Sequence, residues 1–235
     1  MDLFEYMSMQ RKKEESPLAV RMRPKNLDEV VGQQHIIGKD KLLYRAIKAD
    51  KISSLIFYGP PGTGKTTLAK SIANTTSADF VQMNATTSGK KDMEQAVSQA
   101  KDAFGMYGKK TILFIDEIHR FNKAQQDYLL PFVEDGTVIL IGATTENPYF
   151  EVNSALLSRS QIFHLEPLSQ KDICKLVKTA VEDNERGMGA YGAEITEEAA
   201  QFIAQMAGGD ARRALNAVEL GILTTEPDEN GRILN

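Results

Sequence analysis

One segment in the first third of the chain constrains the fold more than any other. Residues 59–66 read Gly-Pro-Pro-Gly-Thr-Gly-Lys-Thr, which fits the G-x-x-x-x-G-K-[ST] pattern of a P-loop. An apolar run, Leu55–Tyr58, comes directly before it, and a helix-forming segment, 67–73, follows. Glycines let backbone N–H groups curl around phosphate oxygens, and a helix N-terminus adds its positive dipole end. This strand, loop and helix predict a site for a nucleoside triphosphate, with contacts from Pro61, Gly62, Thr63, Gly64, Lys65, Thr66 and Thr67.

Composition narrows the class of protein. With 235 residues, 42% of them hydrophobic and 26% charged, the chain is typical of a soluble globular protein with one large or two modest domains. The formal net charge of −4 provides no general attraction to nucleic acid, so any such contact needs a local basic patch. The single cysteine, Cys174, excludes an internal disulfide and a cysteine zinc cluster. No apolar run is long enough to cross a bilayer and the start is unlike a signal peptide, so we expect a cytoplasmic protein without a membrane partner.

The order of apolar patterns indicates an α/β fold followed by a helical subdomain. Residues 1–16 are polar and charged and are expected to form a flexible lead-in. Over 17–168, strand-like and helix-like runs alternate, which predicts a P-loop core with a five-stranded, mostly parallel sheet and helices on both faces. After Pro167 the strand signals stop, and 169–235 is expected to be a helical lid. The expected strands are Leu55–Tyr58, Phe80–Met83, Ile112–Ile115, Val138–Ile141 and Ile162–Leu165, and the expected core helices are 66–75, 92–104, 122–134 and 150–158.

A second motif supplies the carboxylates that P-loop chemistry requires. The apolar strand Ile112–Ile115 ends in Asp116 and Glu117. Asp116 can hold Mg²⁺ together with the Thr66 hydroxyl, and Glu117 can orient and polarise the attacking water. Lys65 can neutralise charge on the β- and γ-phosphates. The four residues from Asp116 to His119 also fit the D-E-x-H box of some helicases, but those need two tandem motor domains, and we interpret His119 as structural.

These motifs together resemble the AAA+ ATPase superfamily, which implies roles for three further residues. Thr145 matches the sensor 1 position at the end of a strand, with Thr144 as the alternative. The structural interpretation is that a β-branched residue simply favours a strand end. Arg159, in Ala-Leu-Leu-Ser-Arg, resembles the arginine finger that reaches a neighbouring subunit, or else is a solvent-exposed helix-end arginine. Arg212 matches the sensor 2 position of the lid, with Arg213 as the alternative, or else either is a surface arginine of an amphipathic helix.

Two further segments carry the resemblance. Residues 21–33 resemble the opening of clamp loaders and RuvB-type motors, which wraps the adenine and makes Arg23, Val31 and Gly32 candidate base contacts. In protein-unfolding members an aromatic pore loop follows the second strand. Here 84–91 is polar, with Lys90 and Lys91, so it is expected to meet phosphates or to be a solvated loop.

Longer stretches at 32–35, 116–123, 142–148 and 209–216 resemble the RarA/MgsA family, relatives of the Werner-helicase-interacting protein. The resemblance implies an ATP- and Mg²⁺-dependent ATPase of the nucleoid that acts on DNA forks, gaps or ends in replication-fork maintenance and repair. It also implies a homo-oligomer, although the family's C-terminal tetramerisation region is not in this sequence. Single-strand-binding protein or the sliding clamp are candidate partners, the latter because Met1–Phe4 resembles a clamp-docking peptide. The alternatives are a clamp-loader-like or Holliday-junction branch-migration motor, or an ATP-switched scaffold for fork proteins.

Overall fold

A computed structural model describes residues 16–227 and 232–234 of the chain. The described residues form two compact units, one of residues 24–166 and one of 16–23 with 167–227 and 232–234. Apart from Ser16, the expected lead-in at 1–16, with its clamp-peptide resemblance, lies outside the described residues.

The first unit is built on a parallel sheet of five strands in the order β2-β3-β4-β1-β5. All five expected strands are present, and the sheet with its flanking helices confirms the α/β fold. Non-consecutive neighbours such as β4 and β1 require crossover connections, which the intervening helices provide. The strands are β1 Ser54–Tyr58, β2 Asp79–Asn84, β3 Thr111–Asp116, β4 Val138–Thr144 and β5 Ser160–His164.

The structure contains the helices expected from the sequence, with one exception described below, and three more helices that precede the P-loop and were not expected. In chain order they are α1 Leu18–Arg21, α2 Gln34–Ile37, α3 Leu42–Lys48, α4 Lys65–Thr75, α5 Lys90–Tyr107, α6 Lys123–Glu134, α7 Pro148–Glu151, α8 Ser154–Leu157, α9 Gln170–Glu182, α10 Glu197–Ala207 and α11 Ala211–Thr224. Short 3₁₀ turns cover Leu27–Glu29, Ile118–Arg120 and Gly189–Tyr191.

Alternation along each central strand divides the core between the two faces of the sheet. Phe114 of β3 packs in a cluster with Leu68 and Ile72 of α4. Its neighbour Leu113 packs on the opposite face, in a cluster that includes Met93 of α5. Because side chains point to opposite faces in turn, a strand buried on both sides must be apolar throughout, which explains the unbroken apolar sequence of β3.

The strand register brings three functional segments to one edge of the sheet. Tyr58, the last residue of β1, is paired with Thr144 at the end of β4. On the other side of β4, Ile115 of β3 is paired with Gly142. Since the strands are parallel, their carboxyl ends meet at the same edge, which is where ligands bind in open α/β sheets. The P-loop after β1, the acidic pair that ends β3 and the threonines that end β4 therefore lie side by side.

The single helix expected over 150–158 is wrong, because this stretch forms two short helices, α7 and α8. Val152 between them is extended, with φ −100° and ψ 141°. Asn153 then caps α8 by accepting a hydrogen bond from the backbone N–H of Ala155 at 2.9 Å. An asparagine that bonds the backbone two residues on competes with helix continuation.

The second unit is mostly helical, as expected for the lid, but it also contains a short parallel pair of strands, β6 Ala193–Ile195 and β7 Arg232–Leu234. The expectation that strands stop after Pro167 was therefore wrong in this detail. Its core joins α9, α10 and α11 with Leu18 of α1. Residues 17–23, which the sequence analysis placed at the start of the α/β core, thus pack with the helices of this unit, since the Leu18 backbone N–H also donates to Glu219 at 3.0 Å.

Candidate nucleotide-binding site

The P-loop adopts a backbone that glycine makes accessible. Gly59 has φ +146°, and a Cβ there would lie 2.2 Å from the carbonyl oxygen of Leu165. Gly62 and Gly64 also have positive φ, 74° and 97°. The loop leads straight into α4, whose first residue is Lys65. A tightly curled loop ahead of a helix N-terminus is the arrangement that binds phosphate.

Lys65 lies within the curve of this loop. Lys65 is only 8% exposed, and its ammonium group donates to the carbonyl oxygens of Gly59 at 2.6 Å and Pro60 at 2.8 Å. These bonds hold the charge where the loop would surround a phosphate. A buried ammonium whose acceptors are neutral carbonyls would bind an anionic oxygen more strongly, because opposite charges attract strongly where water is excluded.

A hydroxyl and a carboxylate meet next to the lysine. The Thr66 hydroxyl donates to Oδ2 of Asp116 at 3.4 Å, joining α4 to the end of β3. Hydroxyl and carboxylate oxygens suit Mg²⁺, which takes few protein ligands and completes its octahedron with phosphate oxygens and water. Consistent with so sparse a set, no group of three or more His, Cys, Asp or Glu side chains among the described residues is placed to hold a metal.

Glu117 has an unusual backbone conformation at the point where β3 ends. Its φ of 55° lies in the left-handed region, which non-glycine residues rarely occupy. Its side chain is 30% exposed, and Oε2 lies 3.3 Å from Nδ1 of His119. The same oxygen accepts a hydrogen bond from the Thr145 hydroxyl at 3.4 Å. Strained backbone of this kind is concentrated at functional sites.

The structure separates the two threonines that end β4. Thr144 is fully buried, and its hydroxyl lies 2.8 Å from Nδ1 of His119 and accepts from the backbone N–H of Glu146 at 3.0 Å. Thr145 is exposed and bonds Glu117. Of the two hydroxyls, that of Thr145 is therefore the one available to a ligand beside the carboxylate.

The candidate adenine contacts are divided between the two units. Val31 and Gly32 belong to the first and Arg23 to the second. The next residue, Gln33, is buried, with φ 56°. Its side-chain amide donates to the carbonyl oxygens of Thr63 at 3.2 Å and Glu166 at 2.7 Å, and its oxygen accepts from the Glu166 N–H at 3.1 Å. Gln33 thus ties the P-loop to the segment after β5.

Arg159 lies at the surface and is held by its own subunit. Its guanidinium forms an ion pair with Glu134 at 2.5 Å and donates to the Ala155 carbonyl oxygen at 2.9 Å and to the Ser158 hydroxyl at 3.0 Å. The side chain is 40% exposed. These contacts hold the Arg159 side chain along the surface of its own chain, so the guanidinium is only partly solvated.

Arg212 and Arg213 occupy the first turn of α11, where Asp210 caps both backbone N–H groups at 2.8 Å and 3.2 Å. The Arg213 side chain lies 3.9 Å from the Asp210 carboxylate. Within the part of the chain that the structure describes, the Arg212 guanidinium makes neither a hydrogen bond nor an ion pair. The Arg213 guanidinium is therefore paired with a carboxylate, whereas the Arg212 guanidinium is available to a ligand.

Comparison with known proteins agrees with this geometry. Residues 55–168 match the ATPase family associated with various cellular activities (AAA). Replication-associated recombination protein A of Escherichia coli (strain K12) is 50% identical over 216 residues, which cover 92% of this chain and 48% of that protein. Its namesake in Bacillus subtilis (strain 168) is 47% identical over 217 residues, covering 92% of this chain and 50% of that protein. The chain belongs to the RarA/MgsA family of AAA+ ATPases. The family resemblance seen in the sequence motifs is thereby confirmed.

This RarA-family chain spans about half the length of the curated bacterial relatives it matches. ATPase WRNIP1 of Dictyostelium discoideum is 40% identical over 226 residues, covering 96% of this chain and 26% of that protein. Among solved structures, the RuvB Holliday junction branch migration motor of Thermotoga maritima superposes with a TM-score of 0.67 at 30% identity, covering 85% of this chain and 64% of that one. A RuvB mutant from the same organism gives 0.70 at 29% identity, covering 84% and 64%.

Three residues of this RarA-family site were missed or undervalued by sequence reasoning. No role was assigned to Gln33 within residues 21–33 or to Glu134 within the expected helix 122–134. His119 was interpreted as structural. Their positions become informative only through bonds to residues far along the chain.

None of the helices in the described ranges has the length and apolar character needed to cross a bilayer.

Proposed function

We propose that this chain is the ATPase module of a DNA-acting RarA-family protein that hydrolyses ATP in replication-fork maintenance and recombinational repair. The observation that carries the proposal is the convergence, at one edge of the sheet, of the P-loop lysine, the Thr66–Asp116 pair and the Glu117–Thr145 pair. This is the set of groups that phosphoryl transfer to water requires: a phosphate cradle, a metal site and a carboxylate base beside a hydroxyl.

In this proposal the phosphates lie on residues 61–67, and Lys65 exchanges its bonds to the loop carbonyls for the β- and γ-phosphates. Thr66 and Asp116 hold Mg²⁺, which, when bound, neutralises charge on the phosphates. Glu117 accepts a proton from the attacking water, and Thr145 donates a hydrogen bond at the γ-phosphate or to that water. The exposed Thr145 hydroxyl and the buried, doubly engaged Thr144 hydroxyl support Thr145 as the sensor.

The remaining assignments extend beyond this cluster. We propose that Val31, Gly32 and Arg23 contact the adenine and that Arg212, whose guanidinium is unengaged among the described residues, is the second sensor. Arg159 is proposed to complete the site of a neighbouring copy in a homo-oligomer. For that it must leave Glu134, and a surface ion pair of this kind is worth only about 0–1 kcal/mol.

The proposal that DNA is the object of this activity rests on two observations. The relatives are named for replication-associated recombination. The loop between β2 and α5 is polar, and Lys90 and Lys91, the first two residues of α5, are exposed, which suits phosphate contact. Forked, gapped or end-containing DNA is the proposed substrate, with single-strand-binding protein or the sliding clamp as proposed partners at the nucleoid.

Glu117→Gln tests the core of the proposal. The amide cannot accept the water's proton, so we expect ATP affinity to stay within about twofold while turnover falls about 10²- to 10⁴-fold. Glu146→Gln is the matched control, because Glu146 is an exposed carboxylate two residues past the end of β4. Steady-state ATPase rates with and without forked and gapped DNA provide the measurement. Undiminished hydrolysis in Glu117→Gln would refute the assignment, and a rate indifferent to every DNA would refute the DNA proposal alone.

The likeness to RuvB favours a second candidate, a branch-migration motor. Such a motor should move a synthetic four-way junction in an ATP-dependent manner, whereas a fork-maintenance ATPase should respond to forks and gaps without moving junctions. A branch-migration assay with the same ATP concentration and both DNAs separates the two.

A further inference from the structure

His119 lies at the centre of the hydrogen-bond cluster that surrounds Glu117. It belongs to the 3₁₀ turn Ile118–Arg120, which begins directly after the glutamate. Its side chain is only 8% exposed, and Nδ1 lies 2.8 Å from the Thr144 hydroxyl oxygen and 3.3 Å from Oε2 of Glu117. One ring nitrogen thus lies within reach of both the end of β4 and the carboxylate at the end of β3.

Close packing holds this turn in place. Ile118 is fully buried against β4 at Gly142, where a Cβ would lie 3.0 Å from the Ile118 Cδ1 atom and 2.7 Å from that of Ile56. A side chain at position 142 would therefore require these two isoleucine side chains to shift. The turn that carries His119 is thus packed closely against β4 through Ile118.

The donors and acceptors around the ring indicate whether Nδ1 of His119 carries a hydrogen. Thr144 already accepts a bond from the Glu146 N–H, at 3.0 Å, and can both donate and accept one more. A bare Nδ1 would present its lone pair to a carboxylate oxygen at 3.3 Å, which is repulsive. An Nδ1–H can instead donate to both neighbouring oxygens, the Thr144 hydroxyl oxygen at 2.8 Å and Glu117 Oε2 at 3.3 Å.

We infer that His119 is a positioning residue for the ATPase reaction: its Nδ1–H holds the Glu117 carboxylate beside Thr145 and ties it to Thr144 of β4. The inference rests on the proposed role of Glu117 as the base. Glu117 Oε2 is then held from two sides, by His119 and by the Thr145 hydroxyl. A movement at the end of β4 would be transmitted to the base through the ring, because Thr144 and Glu117 share one donor.

The test compares three variants. His119→Ala removes the donor and should lower kcat about 10- to 100-fold with ATP affinity nearly unchanged, because a base displaced by about 1 Å loses rate on this scale. His119→Asn places an amide N–H close to the position of Nδ1 and should restore most of the rate. Arg120→Ala is the matched control, since Arg120 is exposed on the same turn. Urea unfolding of each variant shows whether it is folded.

The outcomes separate this inference from the proposed function. If Glu117→Gln abolishes turnover but His119→Ala stays within about twofold of wild type, or if folded His119→Asn is as slow as His119→Ala, the inference is overturned and the proposed function stands. If Glu117→Gln keeps its rate, the proposed function itself fails. Should His119→Ala not fold, His119→Asn alone decides, with a near-normal kcat supporting the inference and a low one overturning it.

A spectroscopic readout does not depend on turnover. The sequence has three histidines, so the ring ¹⁵N signals of His119 are those that disappear in His119→Asn. A protonated Nδ1 in the folded protein supports the inference, and an unprotonated Nδ1 overturns it.

Discussion

At the scale of single residues, neighbours in the sequence have different tasks because the chain turns between them. Thr144 is the last residue of β4 and points into the protein, whereas Thr145 is exposed beside Glu117. Glu117 in turn owes its direction to a left-handed backbone at the end of β3. These positions are set by one or two dihedral angles, so adjacent substitutions should have separable effects.

Thr144→Val and Thr145→Val test this separation. Thr144→Val deprives the Glu146 N–H and the His119 ring of a buried partner and should lower the free energy of unfolding by about 1–3 kcal/mol. Thr145→Val, at an exposed site, should change stability by less than about 0.5 kcal/mol. It should nevertheless reduce turnover about tenfold or more, as expected for loss of a hydrogen-bond donor at the reacting phosphate. Urea denaturation and ATPase rates measure both effects; a Thr145→Val enzyme with wild-type turnover would argue against its sensor role.

At the scale of elements, long-range side-chain bonds join segments that the sheet leaves unconnected. Gln33 precedes α2 and bonds both Thr63 of the P-loop and Glu166, two residues after β5, so it joins three loops at the carboxyl edge of the sheet. Gln33→Leu should therefore lower the free energy of unfolding by about 2 kcal/mol or more, because buried backbone groups lose their partners. Gln34→Leu is the control, since Gln34 is exposed and, within the described residues, its side chain bonds only the Gly32 carbonyl oxygen, at 3.4 Å. Equal stability of the two variants in urea would contradict this role for Gln33.

The turn that closes α9 should make stability depend on pH. The backbone N–H of Arg186, helped by that of Glu185, holds the pKa of Asp183 below its ordinary value. A carboxyl group whose pKa is lower in the folded state stabilises the fold above its unfolded pKa, and this contribution is lost as pH falls through the folded pKa. We expect the thermal midpoint of the wild type to fall below about pH 4 more steeply than that of Asp183→Asn. Parallel pH profiles for the two proteins would refute the assignment.

At the scale of the whole molecule, the position of Arg159 predicts behaviour that a single copy cannot show. If Arg159 serves a neighbouring site, Arg159→Ala should lose about 10³-fold or more in turnover, as for other arginine fingers. Mixing Arg159→Ala with Glu117→Gln should restore part of the rate, because the first supplies an intact base and the second an intact arginine. Each variant alone, at the same total concentration, is the control. A mixture no faster than the sum of its parts would show that the site is not shared.

The sequence by itself determined the fold class of this protein and the segments that form its candidate nucleotide-binding site. The P-loop with its glycines, the apolar strand that ends in Asp116 and Glu117, and the alternation of strand and helix are local patterns, and local patterns depend on backbone preferences and burial that each segment carries with it. The expected strands are present, and Thr66, next to the P-loop lysine, is hydrogen-bonded to Asp116 at the end of β3.

Only the tertiary structure decided how these residues are directed. The break between α7 and α8, the packing of α1 with the helical unit, the different surroundings of Thr144 and Thr145, and the bonds of Gln33, His119 and Glu134 could not be derived from the sequence. Each of these depends on strand register and on hydrogen bonds between groups distant in the chain. A side chain's partner in such a bond is set by which elements pack together, and a short sequence pattern contains no information about that.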